Sequence, residues 1–401
     1  MKYSGVQWIG DIPDSWEIKR VKNCFYISKE QAHDNNPTVL SLARSGIKVR
    51  DVSTNEGQLA ASYDNYNPVM PGDLLLNPMD LYSGANCNMS EVSGVISPAY
   101  VNLRAKEQLN PKFFDYFFKT QYWAMAMFAH GKGVSFDNRW TMNADAILNY
   151  RLPFPSFEVQ DRIVSFLSDK TRKIESLIEI EKKQVDVLLE YRNSVIREVV
   201  TKGVSKREEL KDSNLDLIGS VPTSWRICRI KNVATISNGK EIESTDGNIP
   251  VYGSGGIFKY TNRPLFTGVS LLLGRKGTID NPLLVDGDFW TVDTMFYTSE
   301  IKNINPKFLY YCAKTLINFN FFKSGSVLPS MTQTELNNIW ITYPPLNVQN
   351  DIVNYLNDKC QDIDNLIALK QSKIKELDEY MKSLVFEYVT GKKEIEVWKR
   401  Y

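Results

Sequence analysis

The stretch FPSFEVQDRIVSFLSDKTRKIESLIEIEKKQVDVLLEYRNSVIREVVT (154–201) returns later in the chain as YPPLNVQNDIVNYLNDKCQDIDNLIALKQSKIKELDEYMKSLVFEYVT (343–390). Without any gap, 18 of the 48 aligned positions are identical. Self-similarity over such a length indicates a repeated structural unit, because each copy keeps the pattern that its fold requires. The sequence therefore predicts a tandem duplication.

The apolar positions of both copies follow the period of an amphipathic helix. They are Ile174, Leu177, Ile178, Val185, Leu188, Tyr191, Val195 and Val199 in the first copy, and Ile363, Leu366, Ile367, Ile374, Leu377, Tyr380, Leu384 and Tyr388 in the second. Glycine follows each pattern at Gly203 and Gly391, as is typical of helix ends. We predict long spacer helices over 154–203 and 343–391. An ordinary core helix is the alternative for one copy. Because both copies have the same apolar stripe, however, an antiparallel coiled coil in which the stripes bury each other is favoured.

One position of the stripe is polar in both copies, at Glu181 in the first helix and Lys370 in the second. Both residues lie near the middle of their helices. If the helices pair antiparallel about a pseudo-two-fold axis, equivalent midpoints meet. We therefore predict an inter-helix contact between Glu181 and Lys370, which would favour one register. Two unrelated side chains that each reach solvent are the alternative.

A second repeat precedes each half: WIGDIPDSWEIKRVKNCFYIS (8–28) matches LIGSVPTSWRICRIKNVATIS (217–237). We call these the opening segments. Trp16 and Trp225 are interpreted as buried packing anchors rather than as aromatic platforms for a ligand. The predicted order is a first domain (1–153), the first helix, a polar linker (204–216), a second domain (217–342), the second helix and a tail (392–401).

Between its opening segment and its helix, each half has a variable body that mixes short strand-like runs with one helical patch. The patch NPKFFDYFFKT (110–120) returns as NPKFLYYCAKT (305–315), so the two bodies are homologous. The aromatic residues of the first patch are interpreted as core: Phe113, Phe114, Tyr116, Phe117, Phe118, Tyr122 and Trp123. The predicted fold class is α+β, with two homologous globular domains separated by two long antiparallel helices in a pseudo-two-fold tandem repeat.

Composition gives few functional hints. The chain has 401 residues, 43% of them hydrophobic, and a net charge of +1, so composition alone does not indicate nucleic-acid binding. The five cysteines have neither disulfide-framework nor zinc-ligand spacing, and no apolar run approaches the 18 residues of a membrane span. We expect a cytoplasmic protein that binds no metal and has no contact with a membrane.

Catalytic motifs are missing from the sequence. His33 and His130 are the only histidines, so a histidine-based site cannot occur in both halves. The runs GRKG (274–277) and GSGG (253–256) lack the spacing of phosphate-binding glycine loops. The run NPMD (77–80) lacks the second proline and the aromatic residue of an amino-methyltransferase motif. We therefore expect no catalytic residue and no cofactor on this chain.

Both bodies do contain glycine-rich turns with arginine, lysine, asparagine, tyrosine and serine. Arginine and lysine recognise guanine, asparagine recognises adenine, and hydroxyl groups bind phosphates. The predicted DNA-binding residues are Tyr82, Asn86, Lys132, Asn138 and Arg139 in the first body and Ser254, Lys259, Tyr260, Arg263, Arg275 and Lys276 in the second. A solvated hairpin without a ligand is the alternative for any one of these loops.

The order of opening segment, variable body and helix, repeated once, resembles the DNA specificity subunit of type I restriction-modification systems. The resemblance covers nearly the whole chain and is strongest in the two helix motifs and in YGSGGIF (252–258), LLLGRKGTID (271–280) and FWTVDTMFY (289–297). Val159 and Val348 depart from the family, which usually has glutamate there.

The resemblance implies a non-catalytic subunit with two target-recognition domains, each specific for one half of a bipartite double-stranded DNA site. The helices would set the spacing and dock two modification (methyltransferase) subunits, which restriction (translocase and nuclease) subunits would join. S-adenosylmethionine, ATP and magnesium would then be bound by those partners. Two alternatives stay open: a self-sufficient DNA methyltransferase or nuclease fragment, and a coiled-coil adaptor without nucleic-acid binding.

Overall fold

The computed structural model describes residues 1–32, 37–43, 46–51, 62–79, 81, 86–106, 108–133, 140–205, 208–242, 246–323 and 329–395. The chain divides into two units. Unit 1 comprises Met1–Ile180 and Lys373–Tyr401, and unit 2 comprises Glu181–Ser372. The division falls within the two long helices, because each half of a helix packs on a different body.

The elements up to the end of the first long helix are β1 (Lys2–Tyr3), β2 (Asp11–Ile12), β3 (Glu17–Arg20), α1 (Val21–Cys24), β4 (Phe25–Ile27), β5 (Leu40–Ala43), β6 (Gly46–Val49), β7 (Asn67–Val69), β8 (Leu74–Leu76), β9 (Cys87–Met89), β10 (Gly94–Ile96), β11 (Val101–Ala105), α2 (Pro111–Trp123), α3 (Ala144–Asn149), β12 (Arg151–Phe154) and α4 (Phe157–Lys202).

The second repeat adds β13 (Leu210–Asp212), β14 (Ser220–Pro222), β15 (Arg226–Arg229), β16 (Ala234–Asn238), β17 (Ile249–Gly253), β18 (Gly256–Thr261), β19 (Phe266–Thr267), β20 (Ser270–Gly274), β21 (Leu283–Val285), β22 (Asp288–Thr291), β23 (Met295–Ile301), α5 (Pro306–Leu316), α6 (Phe319–Lys323), α7 (Gln333–Asn337), β24 (Trp340–Tyr343) and α8 (Leu346–Val389).

The two bodies share one sheet topology. A four-stranded sheet has the order β4-β11-β8-β9 in unit 1 and β16-β23-β20-β21 in unit 2. Strand β20 is buried on both faces, because its side chains alternate: Leu271 and Leu273 pack towards α5, whereas Leu272 packs against a second sheet. That second sheet has the order β18-β17-β22-β19. The duplicated α+β fold is therefore confirmed.

A buried glutamine joins the start of each long helix to its body. In unit 1, Gln160 Oε1 accepts from the backbone N–H of Asn110 at 2.8 Å, and its Nε2 donates to the carbonyl of Pro155 at 2.9 Å. Asn110 in turn caps α2 through its side chain. In unit 2, Gln349 bonds Asn305 and Pro344 in the same way, at 2.7 and 2.8 Å. We call these two arrangements the glutamine locks.

The aromatic row of α2 forms core, as predicted, with one exception. Phe113, Phe114, Phe117 and Phe118 are fully buried. Trp123, predicted as core, is instead exposed, because it is the last residue of α2 and lies beyond the packed turns. The interpretation of Trp123 was therefore wrong.

The long helices run antiparallel within each unit. In unit 2, Glu181 and Arg192 of α4 pair with Lys370 and Asp364 of α8, so the numbers of the partners fall as those of α4 rise. Unit 1 shows a further contact, between the rings of Phe166 and Tyr388. Both helices continue without a break through Asp169 and Asp358.

Each opening segment packs against the end of a long helix. Trp225 is buried beside Gly203, where a Cβ would lie 3.2 Å from the indole ring. Trp16 is likewise buried beside Gly391, so both tryptophans are packing anchors, as predicted. Residues 210–212, inside the segment predicted as a linker, form β13, whose three side chains are all exposed.

Candidate functional site

In unit 2, two predicted DNA-binding residues follow strand β20 directly. Gly274 ends the strand and must be glycine, because a Cβ would lie 2.5 Å from the carbonyl oxygen of Thr278. The backbone N–H of Arg275 then donates to the carbonyl of Thr294 at 2.9 Å, and Lys276 forms an antiparallel bridge with Ser330. The backbone of the loop is thus fixed from both sides, while the side chain of Lys276 stays exposed.

Among the described residues, no carboxylate pairs with the guanidinium of Arg275. Its Nη1 donates to the carbonyl of Asp293 at 3.2 Å, and the group lies 5.9 Å from the ring centre of Phe296. A carbonyl and a ring face orient the guanidinium but do not neutralise it. The positive charge therefore remains available to an anion.

The β17–β18 hairpin brings further predicted residues to this loop. Ser254 lies at the hairpin tip, and a Cβ on Gly277 would be 3.2 Å from its Oγ. Lys259 and Tyr260 are exposed on β18, the edge strand of its sheet. Burial raises the pKa of Tyr252 on β17, and the proximity of Tyr260 adds to the rise. Arg263 follows the other end of β18, so it lies farthest along the strand from the tip.

Unit 1 has a corresponding place at the end of β8. The backbone N–H of Asn77 donates to the carbonyl of Asn86 at 2.9 Å, and Leu81 donates to Trp140 at 3.2 Å. Lys132 is exposed and pairs with Thr141, the neighbour of Trp140, through two backbone hydrogen bonds. The structure thus places Asn86 and Lys132 beside the same loop. Tyr82, Asn138 and Arg139 lie outside the described residues.

The structure also shows basic residues that the sequence analysis missed. The β5–β6 hairpin of unit 1 corresponds to the β17–β18 hairpin of unit 2. In unit 1, Val39, which precedes β5, forms a parallel bridge with β10, and in unit 2, β17 pairs in parallel with β22. Lys48 on β6 is exposed, and Arg50 donates its backbone N–H to Val39. The alternation in LSLA and GIKV around a glycine turn was the available signal.

The two residues singled out in the helices meet in unit 2. Lys370 Nζ lies 3.1 Å from Glu181 Oε2, and Glu181 is only 6% exposed. Lys370 also donates to the side-chain oxygen of Gln184. An ion pair with one partner nearly buried is sensitive to the register of the helices, because a shift would leave a carboxylate unpaired.

Each unit exposes the same three apolar positions of the helix repeat. They are Leu177, Ile180 and Tyr380 in unit 1 and Leu366, Leu369 and Tyr191 in unit 2, all between 46% and 66% exposed. The repeat therefore exposes apolar side chains at equivalent positions of its two copies.

The described residues show no arrangement suited to catalysis. Burial raises the pKa of the thiols of Cys87 and Cys312, and it raises that of Cys228 to about 11, so these thiols are not activated nucleophiles. In the described part of the chain no group of three or more histidine, cysteine or acidic side chains is arranged to hold a metal ion. No helix of that part is both long and apolar enough to cross a membrane.

Comparisons with known proteins agree with the duplicated architecture. Residues 222–379 match the family model of the type I restriction modification DNA specificity domain. The chain is 22% identical to the type I restriction enzyme MjaVIII specificity subunit of Methanocaldococcus jannaschii, over 95% of this chain and 93% of that protein. A solved structure from work on complex assembly and conformational transition of the type I R-M system has a TM-score of 0.71 at 15% identity. It covers 94% of this chain and 98% of its own.

Proposed function

We propose that this chain, a relative of the type I restriction-enzyme specificity subunits, is the DNA-recognition subunit of a type I restriction-modification complex. Each unit carries one target-recognition domain for one half of a bipartite DNA site. The two long helices set the spacing between the halves. The chain itself is not catalytic.

One observation carries this proposal: two homologous scaffolds present loops with different side chains at the same strand end. Arg275 and Lys276 follow β20, whereas Pro78 and Met79 follow β8 at the aligned positions. Yet the backbone contact is kept, because Met142 donates to Pro78 as Met331 donates to Arg275, both at 2.9 Å. A shared backbone arrangement with different side chains suits two recognition domains that bind different DNA sequences.

We assign the docking of the partner subunits to the two long helices. The exposed apolar triplet of each unit supports one docked modification subunit per unit, and those subunits would bind S-adenosylmethionine and methylate adenine. Restriction subunits, with ATP and magnesium, would join this complex.

The test exchanges residues 29–153 for the corresponding body of a relative and maps methylated adenines in a host that carries the complete system. We expect one half of the recognised sequence to change and the other to remain, because the repeated opening segment and helix bound each body. A host that lacks this chain provides the control and should show no such methylation. A swap that alters both halves, or methylation that persists without the chain, would contradict the proposal.

A further inference from the structure

A polar cleft of about 280 Å³ opens in unit 2 between α5 and the unit-2 halves of α4 and α8. Its lining includes Arg192, Lys307, Tyr310, Lys314, Cys360 and Asp364. None of these residues belongs to the candidate DNA-binding loops. The cleft therefore needs a separate explanation.

The cleft has an excess of positive charge. Arg192 pairs with Asp364, which is the one carboxylate among the lining residues. In the described part of the chain, the ion pairs include no partner for Lys307 or Lys314, and Lys314 Nζ lies 5.3 Å from the ring centre of Tyr310. Burial raises the pKa of the Cys360 thiol, while Arg192, Lys314 and Lys307 act in the opposite direction. All three cations line the same cleft.

Unit 1 shows what the same helix positions look like when the charge is satisfied internally. Lys112 and Lys119 of α2 correspond to Lys307 and Lys314 of α5. Both approach the fully buried carboxylate of Asp115, at 2.9 and 3.0 Å. Its counterpart in α5 is Tyr310, which cannot neutralise two lysines at neutral pH. Unit 2 therefore has both lysines but lacks the carboxylate that pairs with their counterparts in unit 1.

The cleft does not face the candidate DNA interface. Helix α5 packs on one face of the β16-β23-β20-β21 sheet, through Phe308 and Leu309 against Leu271 and Leu273. The sheet with the β17–β18 hairpin covers the opposite face, around Leu272. A DNA duplex bound at the hairpin would therefore meet the other side of this body.

Charge and position favour a protein carboxylate over DNA as the occupant of the cleft. Unit 1 satisfies the corresponding lysines with a carboxylate, that of Asp115. A positively charged cleft complements a partner surface that carries an acidic side chain. A duplex bound at the hairpin would lie on the other side of this body.

We propose that this cleft receives an aspartate or glutamate side chain of a protein partner, whose carboxylate takes in unit 2 the place that Asp115 holds in unit 1. The identification of that partner as the modification subunit rests on the proposed function. Because Asp115 already fills the corresponding position of unit 1, the docked carboxylate distinguishes the two units.

The test uses Tyr310→Asp in the full chain, with Tyr310→Phe as the matched control. The aspartate supplies an internal carboxylate at the spacing of Asp115, so it competes with the partner without removing any cation. Titration calorimetry with the purified modification subunit of the same system should show about tenfold weaker binding at one of the two sites for Tyr310→Asp. Tyr310→Phe should bind within about twofold of wild type. The double variant Lys307→Glu, Lys314→Glu should weaken binding at least as much.

The outcomes separate this inference from the proposed function. If wild type binds the modification subunit and neither Tyr310→Asp nor the double lysine variant weakens it, the cleft is not the docking site, although the proposed function stands. If wild type does not bind the modification subunit at all, the proposed function itself fails. Equal loss of duplex DNA binding by Tyr310→Asp without any partner would show a phosphate site and overturn the inference. Melting curves of each variant establish that it folds.

Discussion

The two units differ in the side chains of their strand-end loops and agree in the buried glutamine locks. The glutamine locks have the same hydrogen bonds in both units, within 0.1 Å of each other. At the ends of β8 and β20, by contrast, the side chains differ. Pro78 in unit 1 and Arg275 in unit 2 accept equivalent backbone hydrogen bonds. Hidden polar contacts are thus preserved where the fold depends on them, and surface side chains diverge where partners are selected.

The glutamine locks offer the strongest test of this agreement. Gln160→Ala and Gln349→Ala should each lower the free energy of unfolding by about 2–4 kcal/mol, because a buried N–H and a buried carbonyl lose their partners. Urea denaturation measures the change. Gln361→Ala, at an exposed position of α8, should cost less than about 0.5 kcal/mol. A large loss for one lock and none for the other would break the equivalence of the units.

Substitutions in the loops that follow β8 and β20 should affect DNA binding rather than folding. Replacing Arg275 and Lys276 together with alanine should weaken duplex binding about tenfold or more and flatten the dependence of log K on log salt by about two units. Lys132→Ala in unit 1 should remove about one unit. Fluorescence anisotropy over a salt series measures both. Lys302→Ala, whose lysine pairs with Glu300 instead, should leave affinity and slope unchanged.

At the helix midpoints the two copies carry opposite charges on the stripe that faces the other helix, Glu181 in α4 and Lys370 in α8. Glu181→Gln should destabilise the helix pair by about 1 kcal/mol, since Lys370 reaches solvent and the pair is partly screened. A double-mutant cycle with Lys370→Met isolates the coupling. Exchange of the charges, Glu181→Lys with Lys370→Glu, should restore most of the loss. A cycle with zero coupling would mean that the contact has no part in fixing the register.

The smallest expected effect is a dependence on pH confined to unit 1, where both histidines lie. Burial lowers the pKa of His130, so the folded state favours its neutral form. The stabilisation is complete above the unfolded pKa of about 6.5 and is lost as the pH falls below it. His130→Gln should therefore reduce the drop in Tm between pH 7.5 and 5.5. An unchanged drop would assign the acid sensitivity to other groups.

Sequence periodicity predicted the helices, the repeat and the tryptophan anchors because each leaves a local signature. It missed the β5–β6 hairpin and β13, whose short strands depend on pairing with distant segments. Arg275 and Lys276 stood out through their glycine neighbours. The cleft at Tyr310 could not be foreseen, since three helices distant in sequence must converge before unpaired lysines become visible.

A glycine packs against a tryptophan at the end of each long helix, so this contact occurs twice. The chain connects the two residues directly in only one of the two cases. Residues 203 to 225 run covalently from α4 into the second opening segment, whereas Gly391 meets Pro13 and Trp16 with no direct covalent link. The chain is therefore covalently continuous at one of these two contacts and not at the other. Joining residue 391 to the first opening segment and cutting within 204–209 should yield a circular permutant with the same contacts.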